Sequence, residues 1–487
     1  MNQIKKLAGQ TLIYGLSNML GRFLNYLLVP LHTLVLGKFF YGKLTFIYSS
    51  TAILLVILTY GIETGFFRFA SKKEEKYNSV LGTSLYSILF TTSIFLALSL
   101  LFKQQWASYF EIDNYRIVIY FILIISFDVI NAIPFAKLRI DERPVKFMII
   151  KVTGIAINIF FNLFYLYVCR KFYQAGADNF FAHIYKPDLV LEYVLIANFI
   201  SSAITFLLLT TEIFKVRLPF DFALLKRLLK YSYPILFIGL AGMLNDNIDK
   251  LLIPKLINHP NPVEQLGIYG ANFKLSVLMV LFIQMYRYAA EPFFFKYADS
   301  TDAKELYGKV MTYFIIFGLL IFLGVNFYID ILKHFIHKDF WEGLKVVPIL
   351  LFAKLLFGVL FNLSIWYKVT DRTKFGILVA GTGAIITIVA NIILIPQIGY
   401  YGSALASLAS YIVMLIISYY LSRKFFPVQY ELKKIGLYVL IALGLFIVSR
   451  LNIFYNKTIY YIIVSVMIMA FAGFTYLKEK KSFTYEN

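Results

Sequence analysis

Cysteine, histidine and charged residues are all scarce in this chain of 487 residues. It holds one cysteine, Cys169, and five histidines. A single cysteine excludes an internal disulfide and any metal site built from several cysteines, and we predict neither a metal site nor a cofactor. Charged residues make up 15% of the chain and hydrophobic residues 60%, whereas a soluble domain carries about 25% charged residues. The composition therefore favours a membrane protein.

Connections long enough to form a soluble domain are also missing, and apolar runs of roughly 20 residues follow one another along the whole chain. Each run is long enough to cross a hydrocarbon core of ~30 Å as a helix. The period-2 alternation of a membrane β-barrel is absent, so helices are expected to satisfy the backbone in lipid. The sequence predicts an all-α polytopic membrane protein with about 14 transmembrane helices, near 8–34, 43–66, 78–102, 116–136, 147–169, 190–213, 232–254, 266–290, 308–332, 346–367, 375–396, 399–422, 435–452 and 458–477.

The formal net charge of +20 indicates an orientation in the membrane rather than a nucleic-acid partner. If the N-terminus is cytoplasmic, most of the 47 Lys and Arg residues fall in the connections on the cytoplasmic side. This bias is the positive-inside pattern of membrane proteins. We therefore expect a multi-pass protein with both termini in the cytoplasm.

Two segments of the chain repeat each other. Residues 15–30 read GLSNMLGRFLNYLLVP and residues 239–254 read GLAGMLNDNIDKLLIP, with seven identical positions of sixteen and no gap. Both segments belong to helices that run from inside to outside, so the repeat is parallel, with its axis along the membrane normal. We predict two pseudo-symmetric six-helix lobes around a central cavity, divided as 1–213 for helices 1–6, 214–230 for a cytoplasmic amphipathic linker, 231–424 for helices 7–12, and 425–487 for helices 13–14 with a cytoplasmic tail.

Several local patterns resemble one transporter superfamily. They are Arg22 with PL at 30–31, LG at 36–37 and YG at 41–42, the stretch GIETGFFRFAS at 61–71, and NIILIPQIGYYGSALAS at 391–407. Together with the six-plus-six-plus-two order of the spans, they resemble the polysaccharide transporters of the multidrug/oligosaccharidyl-lipid/polysaccharide exporter superfamily. The Asp249-Lys250 pair stands where many members have Asp-Arg, which changes the kind of basic residue but not its charge.

That resemblance implies a flippase rather than an enzyme. Such proteins move lipid-linked oligosaccharide repeat units, usually on undecaprenyl pyrophosphate, across the bacterial inner membrane by alternating access. The products are O-antigen, capsule or exopolysaccharide. No phosphate-binding glycine loop is evident in the sequence, so the resemblance implies H+ or Na+, or the substrate gradient, as the energy source. Polymerase and chain-length proteins of the same pathway are the expected protein partners.

Ionisable side chains inside predicted spans are the candidate site residues, because a charge in hydrocarbon normally faces a cavity or a partner. Arg22 lies roughly 21 Å along the first helix at 1.5 Å per residue, and its planar fork of donors suits pyrophosphate. A structural ion pair between helices is the alternative. We predict four substrate-binding cations that line the cavity: Arg22, Lys250, Lys274 and Lys354.

A second set of charged residues is assigned to gating or ion coupling. It comprises Glu63, Arg68, Asp128, Asp246 and Asp249. Glu63 and Arg68 lie near the inner end of helix two, where solvation also explains them, and Asp128 could instead cap a neighbouring helix. Asp246, Asp249 and Lys250 share one helix face, and Asp246 and Lys250 could neutralise each other locally.

Two further basic residues, Arg287 and Lys151, are also inside spans. Arg287 has Glu291 four residues on, so the sequence favours a local pair for it. Lys151 lies within two turns of the inner surface and is expected to extend to it. For Lys274 and Lys354, which belong to the cavity set, the sequence offers no obvious local partner.

Three other functions compete with the predicted one. A lipid II flippase also has fourteen helices and a cationic cavity, and a cation-coupled multidrug exporter belongs to the same superfamily, although with twelve helices and a less cationic cleft. A membrane glycan polymerase or ligase would need a large external loop bearing Arg and His. The external connections are short here, which disfavours the enzyme.

Overall fold

The computed structural model describes residues 14, 15, 17, 19–71, 75–213, 219–298, 300, 302–451 and 456–483. Within these residues all regular structure is helical, which confirms the predicted all-α class. The chain separates into two compact units, Met1–Gly270 and Ala271–Asn487. Helix α12 crosses that boundary. The predicted lobes, divided at 213 and 231, stay a prediction.

Besides the start of α12, the described part of the first unit contains eleven α-helices, one π-helical turn and one 3-10 turn. They are α1 over 19–26, α2 Val29–Thr59, α3 Ile62–Ala70, α4 Tyr77–Leu101, α5 Lys103–Phe110, α6 Tyr115–Ile140, α7 Pro144–Leu163, a π-helical turn Phe164–Cys169, α8 Arg170–Gln174, α9 Phe180–Ile184, α10 Val190–Ile213 with a 3-10 turn Pro187–Leu189 before it, and α11 Phe222–Leu256.

The second unit continues from α12 to the last helix. Its segments are α12 Pro262–Leu275, α13 Val277–Lys296, α14 Ala303–Phe327, α15 Ile329–Leu332, the 3-10 turns Lys333–Phe335 and Lys338–Val346, α16 Val347–Val369, α17 Lys374–Ile398, α18 Tyr400–Phe425, α19 Leu432–Arg450 and α20 Lys457–Phe483.

Eleven helices of the described chain are long and apolar enough to cross a membrane, and twelve if the pair α12 and α13, bent by 45°, is one span. The exact number of fourteen is therefore not confirmed. The twelve correspond to predicted helices 2–6 and 8–14. Predicted helix 1 over 8–34 lies partly outside the described residues. Predicted helix 7 forms as α11. It is not among the candidate spans, because with Asp246, Asp249, Lys250 and other polar residues its composition is less apolar than theirs.

Two breaks shape the first spans. Inside α2, Gly37 has φ 63° and ψ −178°, a conformation that a residue with a Cβ rarely adopts, so the chain kinks between the predicted first and second helices. Between α2 and α3, Tyr60 and Gly61 both have positive φ. The predicted second helix over 43–66 is consequently broken at residues 60–61 rather than continuous.

The predicted amphipathic linker has a different form from a separate surface helix. Residues 214–218 of it lie outside the described residues. From Phe222 onward the segment is the first part of α11, whose N-terminus is capped by Asp221 Oδ1, which accepts from the Leu224 amide at 3.0 Å. Leu224 and Leu228 are buried, while Phe222 is exposed. The amphipathic pattern is therefore real, but the helix continues without a break to Leu256.

Candidate functional site

A cluster of charged side chains surrounds Lys151 of α7 in the first unit. Lys151 interacts electrostatically with the carboxylates of Asp128 and Glu63 and with the guanidinium of Arg22. Its ammonium nitrogen is 4.7 Å from the ring centroid of Phe135. The side chain therefore has partners within the helices, and extension to the surface does not account for it. Three residues that the sequence assigned separately, Arg22, Glu63 and Asp128, are brought together here.

Arg22 is the exposed member of this cluster. It lies on α1 and is exposed, although it is well within a segment predicted to span the membrane. A permanently charged guanidinium at such a position normally faces a water-filled cavity. The arrangement can receive an anion, because Arg22 supplies a fork of donors and Lys151, with which it interacts electrostatically, adds a second positive charge.

The two predicted gate residues of α3, Glu63 in its first turn and Arg68 in its last, have different partners. Glu63 Oε1 accepts from Arg139 Nη1 of α6 at 3.1 Å, and both side chains are partly exposed. The Arg68 guanidinium instead lies 4.2 Å from the ring centroid of Tyr231 on α11. Interactions of partly exposed charges are weak individually. Each of these contacts can therefore open at low cost if the helices move, as a gate requires.

Asp128 joins two helices through its side chain. Asp128 Oδ1 accepts from the Ser202 hydroxyl of α10 at 2.8 Å. This partner is a side chain, so the capping of a helix terminus, which the sequence left open, is not the contact that forms. The carboxylate also interacts electrostatically with the positive charge of Lys151. It is a candidate for the reversible binding of a proton or a cation.

A row of polar side chains that sequence reasoning missed crosses the same unit. His32 Nε2 is 2.7 Å from Asn162 Oδ1, and Asn162 Nδ2 donates to Asn158 Oδ1 at 3.0 Å. Asn158 donates in turn to Asn198, and Asn198 donates to the Tyr48 hydroxyl. The available signal was Asn158 and Asn162 at i and i+4 in an apolar helix, which places both amides on one face.

Asp249 and Lys250 form a buried pair on α11. Lys250 Nζ donates to Asp249 Oδ1 at 3.1 Å and to the backbone oxygen of Asp246 at 2.6 Å. The Tyr269 hydroxyl donates to Asp249 Oδ2 at 2.6 Å. Both charged side chains are less than a tenth exposed. The local neutralisation that the sequence left open thus joins Lys250 to Asp249, and Asp246 contributes its carbonyl oxygen to this contact.

The two remaining predicted cations lie in the second unit. Lys354 of α16 is buried, and its ammonium nitrogen is 5.2 Å from the ring centroid of Phe273 and 5.8 Å from that of Tyr411. These distances are within the range of a cation–π contact. Lys274 lies near the end of α12 and is half-buried. Their proposed role as substrate-binding cations stays a prediction.

The local pair expected for Arg287 does not form. Glu291 Oε1 accepts instead from Lys368 Nζ of α16 at 2.7 Å, and the Arg287 guanidinium lies 4.8 Å from the ring centroid of Phe361. Contacts between helices therefore replace the contact along one helix. Among the described residues no group of three or more His, Cys, Asp and Glu side chains could hold a metal ion.

Comparison with known proteins identifies the family. Residues 7–298 match the family model described as polysaccharide biosynthesis protein. The chain belongs to this family. No curated protein sequence matches it. The match covers more than half of the chain and includes every candidate site residue of the first unit.

Solved structures show the same fold as this family member. A lipid II flippase MurJ in an inward closed conformation is similar with a TM-score of 0.75 and 15% identity, over 96% of this chain and 99% of that one. An inward-facing multidrug resistance MATE family transporter of the MOP superfamily has a TM-score of 0.62 and 13% identity, over 85% and 94% of the two chains.

A third structure is that of the MATE multidrug transporter DinF-BH, with a TM-score of 0.58 and 15% identity, over 87% of this chain and 97% of that one. The family match confirms the resemblance to a family of polysaccharide biosynthesis proteins, and these likenesses show that the chain shares the fold of MurJ and MATE transporters. This protein is thus a multi-pass membrane protein that has the same fold as two MATE transporters and the MurJ flippase.

Proposed function

We propose that this protein is a flippase for lipid-linked oligosaccharide repeat units. It carries units on undecaprenyl pyrophosphate from the inner to the outer leaflet of the bacterial inner membrane, by alternating access, with both termini in the cytoplasm. The glycan serves O-antigen, capsule or exopolysaccharide synthesis. The family match supports a role in polysaccharide synthesis, and the membrane-transporter fold supports movement across a bilayer.

The observation that carries the proposal is the exposed guanidinium of Arg22 beside Lys151. A pyrophosphate head carries several negative charges, and its oxygens match the paired donors of a guanidinium. The carboxylates of Glu63 and Asp128 near Lys151 keep the cluster from being purely cationic. They would weaken the hold on the anion, so that the substrate can leave as well as bind.

Asp128 supports coupling to a cation. Its carboxylate bridges α6 and α10 through Ser202, and binding of H+ or Na+ would remove the charge that attracts Lys151. Lys151 would then be available to the substrate, which links the two binding events. The row of His32, Asn162 and Asn158 in the same unit offers polar atoms along which a small cation could exchange.

The first experiment measures glycan export in a strain that lacks its own flippase. Arg22→Ala should abolish export at a normal membrane level of the protein, and Arg22→Lys should rescue export only in part because it loses the two-donor fork. Arg116→Ala is the matched control, since Arg116 is also an exposed arginine of the first unit. Normal export by Arg22→Ala would contradict the proposed role. If the protein instead rescues a strain that lacks its lipid II flippase, the substrate is lipid II.

A second experiment tests ion coupling in liposomes that contain the purified protein. Asp128→Asn should remove the dependence of flipping on an imposed H+ or Na+ gradient, because the amide neither binds nor releases a proton. Ser202→Ala is the control that keeps the carboxylate and removes only its 2.8 Å hydrogen bond. A gradient dependence that persists in Asp128→Asn would exclude this residue as the coupling site.

A further inference from the structure

A cavity of about 600 Å³ lies among α2, α4, α5 and α11 of the first unit. This volume is in the range of small-molecule binding sites. Its walls are mostly apolar, and they include Leu54 of α2, Leu98 of α4, Trp106 of α5 and Leu251 of α11. None of the predicted site residues lines it. The cavity is therefore a candidate site separate from the Arg22 cluster.

The surroundings of the cavity indicate a hydrocarbon ligand. Both α2 and α4 belong to helices that are long and apolar enough to cross a membrane, so the medium beside them is lipid. Leu98 and Phe102 line the cavity and are also 51% and 48% exposed, which means that the cavity opens onto the apolar surface of the protein. An apolar cavity holds water poorly, whereas one chain of a membrane lipid can enter it from the side.

One edge of the cavity is suited to a phosphate. Tyr109 lines the cavity, and Lys255 Nζ is 5.5 Å from its ring centroid. That ammonium donates to the Tyr109 carbonyl at 3.3 Å and to Glu111 Oε1 at 3.2 Å. A lysine ammonium has three donors, so one remains, and the side chain is 38% exposed. Trp106 and Tyr109 at this edge are residue types that favour the boundary between lipid and water.

The helices that form the cavity favour a ligand that binds and dissociates in each transport cycle. Helices α2 and α4 belong to the first predicted repeat, and α11 is the predicted helix seven, which begins the second. In alternating access the repeats move against each other, so a cavity walled by both is rebuilt in each cycle. A permanently bound lipid would resist that movement. The tail of a transported lipid must instead stay in the membrane while its head crosses.

We propose that this cavity receives the prenyl chain of the lipid-linked substrate next to its phosphate, with the phosphate at Lys255. The inference rests on the proposed function and adds the position of the lipid part of the substrate. The site lies on the side that the positive-inside pattern predicts to be external, because α4 and α5 meet there. It therefore describes the substrate as it leaves for the outer leaflet.

The test uses the purified full-length protein and undecaprenyl phosphate that carries a photoreactive group near the phosphate and no sugar. Labelling should fall on residues 98–109, and unlabelled undecaprenyl phosphate should compete while phosphatidylglycerol in equal excess should not. Equal competition by phosphatidylglycerol would overturn the proposal in favour of an ordinary phospholipid site. Labels found only outside residues 98–109 and Leu251 would also overturn it.

A pair of tryptophan variants checks the position of the chain. Leu98→Trp should reduce labelling several-fold because it fills the cavity, whereas Leu101→Trp, on the same helix, outside the lining and 73% exposed, should leave it unchanged. Lys255→Gln should weaken the labelling and make it less sensitive to salt, since a screened charge is removed. Unchanged labelling in Leu98→Trp would contradict the proposal. If that variant does not fold, the position of the label in the unaltered protein still decides whether the prenyl chain enters this cavity.

Failure of this inference can be told from failure of the proposed function. If the protein restores glycan export in the flippase-deficient strain but is labelled elsewhere, the cavity assignment is wrong and the function stands. If residues 98–109 are labelled but export is not restored, the cavity is a prenyl phosphate site and the proposed transport function fails.

Discussion

The Asp249 carboxylate shows how a charged residue can be kept within the helices without serving as a free cavity charge. Both of its oxygens accept hydrogen bonds, from Lys250 at 3.1 Å and from Tyr269 at 2.6 Å. The desolvation of two ions is offset only where such geometry is complete. Because Asp249 offsets much of the charge of Lys250, we expect Lys250 to attract an anionic substrate less strongly than Arg22 does.

Substitutions in this pair should separate a structural role from a transport role. Asp249→Asn alone should destabilise the protein by about 3–5 kcal/mol, since it leaves the Lys250 ammonium buried without its counter-charge. The double variant Asp249→Asn with Lys250→Met should recover most of that loss. The measurement is thermal unfolding of the detergent-purified protein at neutral pH.

Tyr269→Phe is the control for this set, with an expected loss of about 1 kcal/mol for one hydrogen bond. If Asp249→Asn is as stable as the unaltered protein, the Asp249–Lys250 pair does not contribute to stability. If the double variant is stable and still exports glycan at the normal rate, neither charge belongs to the transport path.

At the scale of helices, α2 and α12 cross at a contact that only glycine permits. A Cβ added to Gly42 would overlap the backbone oxygen of Val263, and one added to Gly267 would overlap the backbone oxygen of Lys38. Each glycine thus leaves room for the backbone of the other helix. Close approach through small residues is the usual way in which membrane helices associate, because lipid provides no hydrophobic driving force between them.

Alanine at either crossing glycine should therefore push the helices apart. Gly42→Ala and Gly267→Ala should each destabilise the protein by about 1–3 kcal/mol, as overpacking does. Gly444→Ala is the matched control, because nothing lies within 4 Å of the added methyl group, and it should be neutral or stabilising by up to ~1 kcal/mol. Thermal unfolding in detergent measures all three.

Glycan export adds a second readout for the same variants. If the α2–α12 contact has to form and break during the transport cycle, Gly42→Ala should lower export more than its membrane level falls. Equal stability of Gly42→Ala and Gly444→Ala would contradict the crossing itself.

At the scale of the whole molecule, the distribution of basic residues predicts the direction of the chain through the membrane. Connections rich in Lys and Arg stay in the cytoplasm, and the alternation holds along most of the sequence. Helix α9 lies between the candidate spans Pro144–Gln174 and Pro187–Ile213. If both cross the membrane, α9 lies on the side opposite to Pro144.

Reporter fusions test this arrangement. An enzyme reporter that is active only outside the cytoplasm should be active when fused after Arg170 and inactive when fused after Lys226. A reporter that is active only in the cytoplasm is the control and should give the opposite result at both positions. The reverse pattern would overturn the orientation, and with it the external position of the cavity at Trp106.

The sequence by itself determined the all-helical class, the approximate positions of most spans and the resemblance to the family. Apolar runs fix where helices cross lipid, because an unpaired backbone cannot be placed in hydrocarbon. The repeat at 15–30 and 239–254 and patterns such as LG at 36–37 were sufficient for the resemblance. Arg22, Glu63 and Asp128 were identified as unusual by their charge alone, before any contact was known.

Only the tertiary structure decided which charged groups meet. Lys151 lies with Arg22, Glu63 and Asp128 because α1, α3, α6 and α7 pack in one unit, and no spacing along the chain shows that. The expected pair of Arg287 and Glu291 failed because a lysine on a neighbouring helix reaches Glu291 at 2.7 Å. Helical periodicity gives the face on which a side chain lies, but the partner on the next helix depends on how the helices pack.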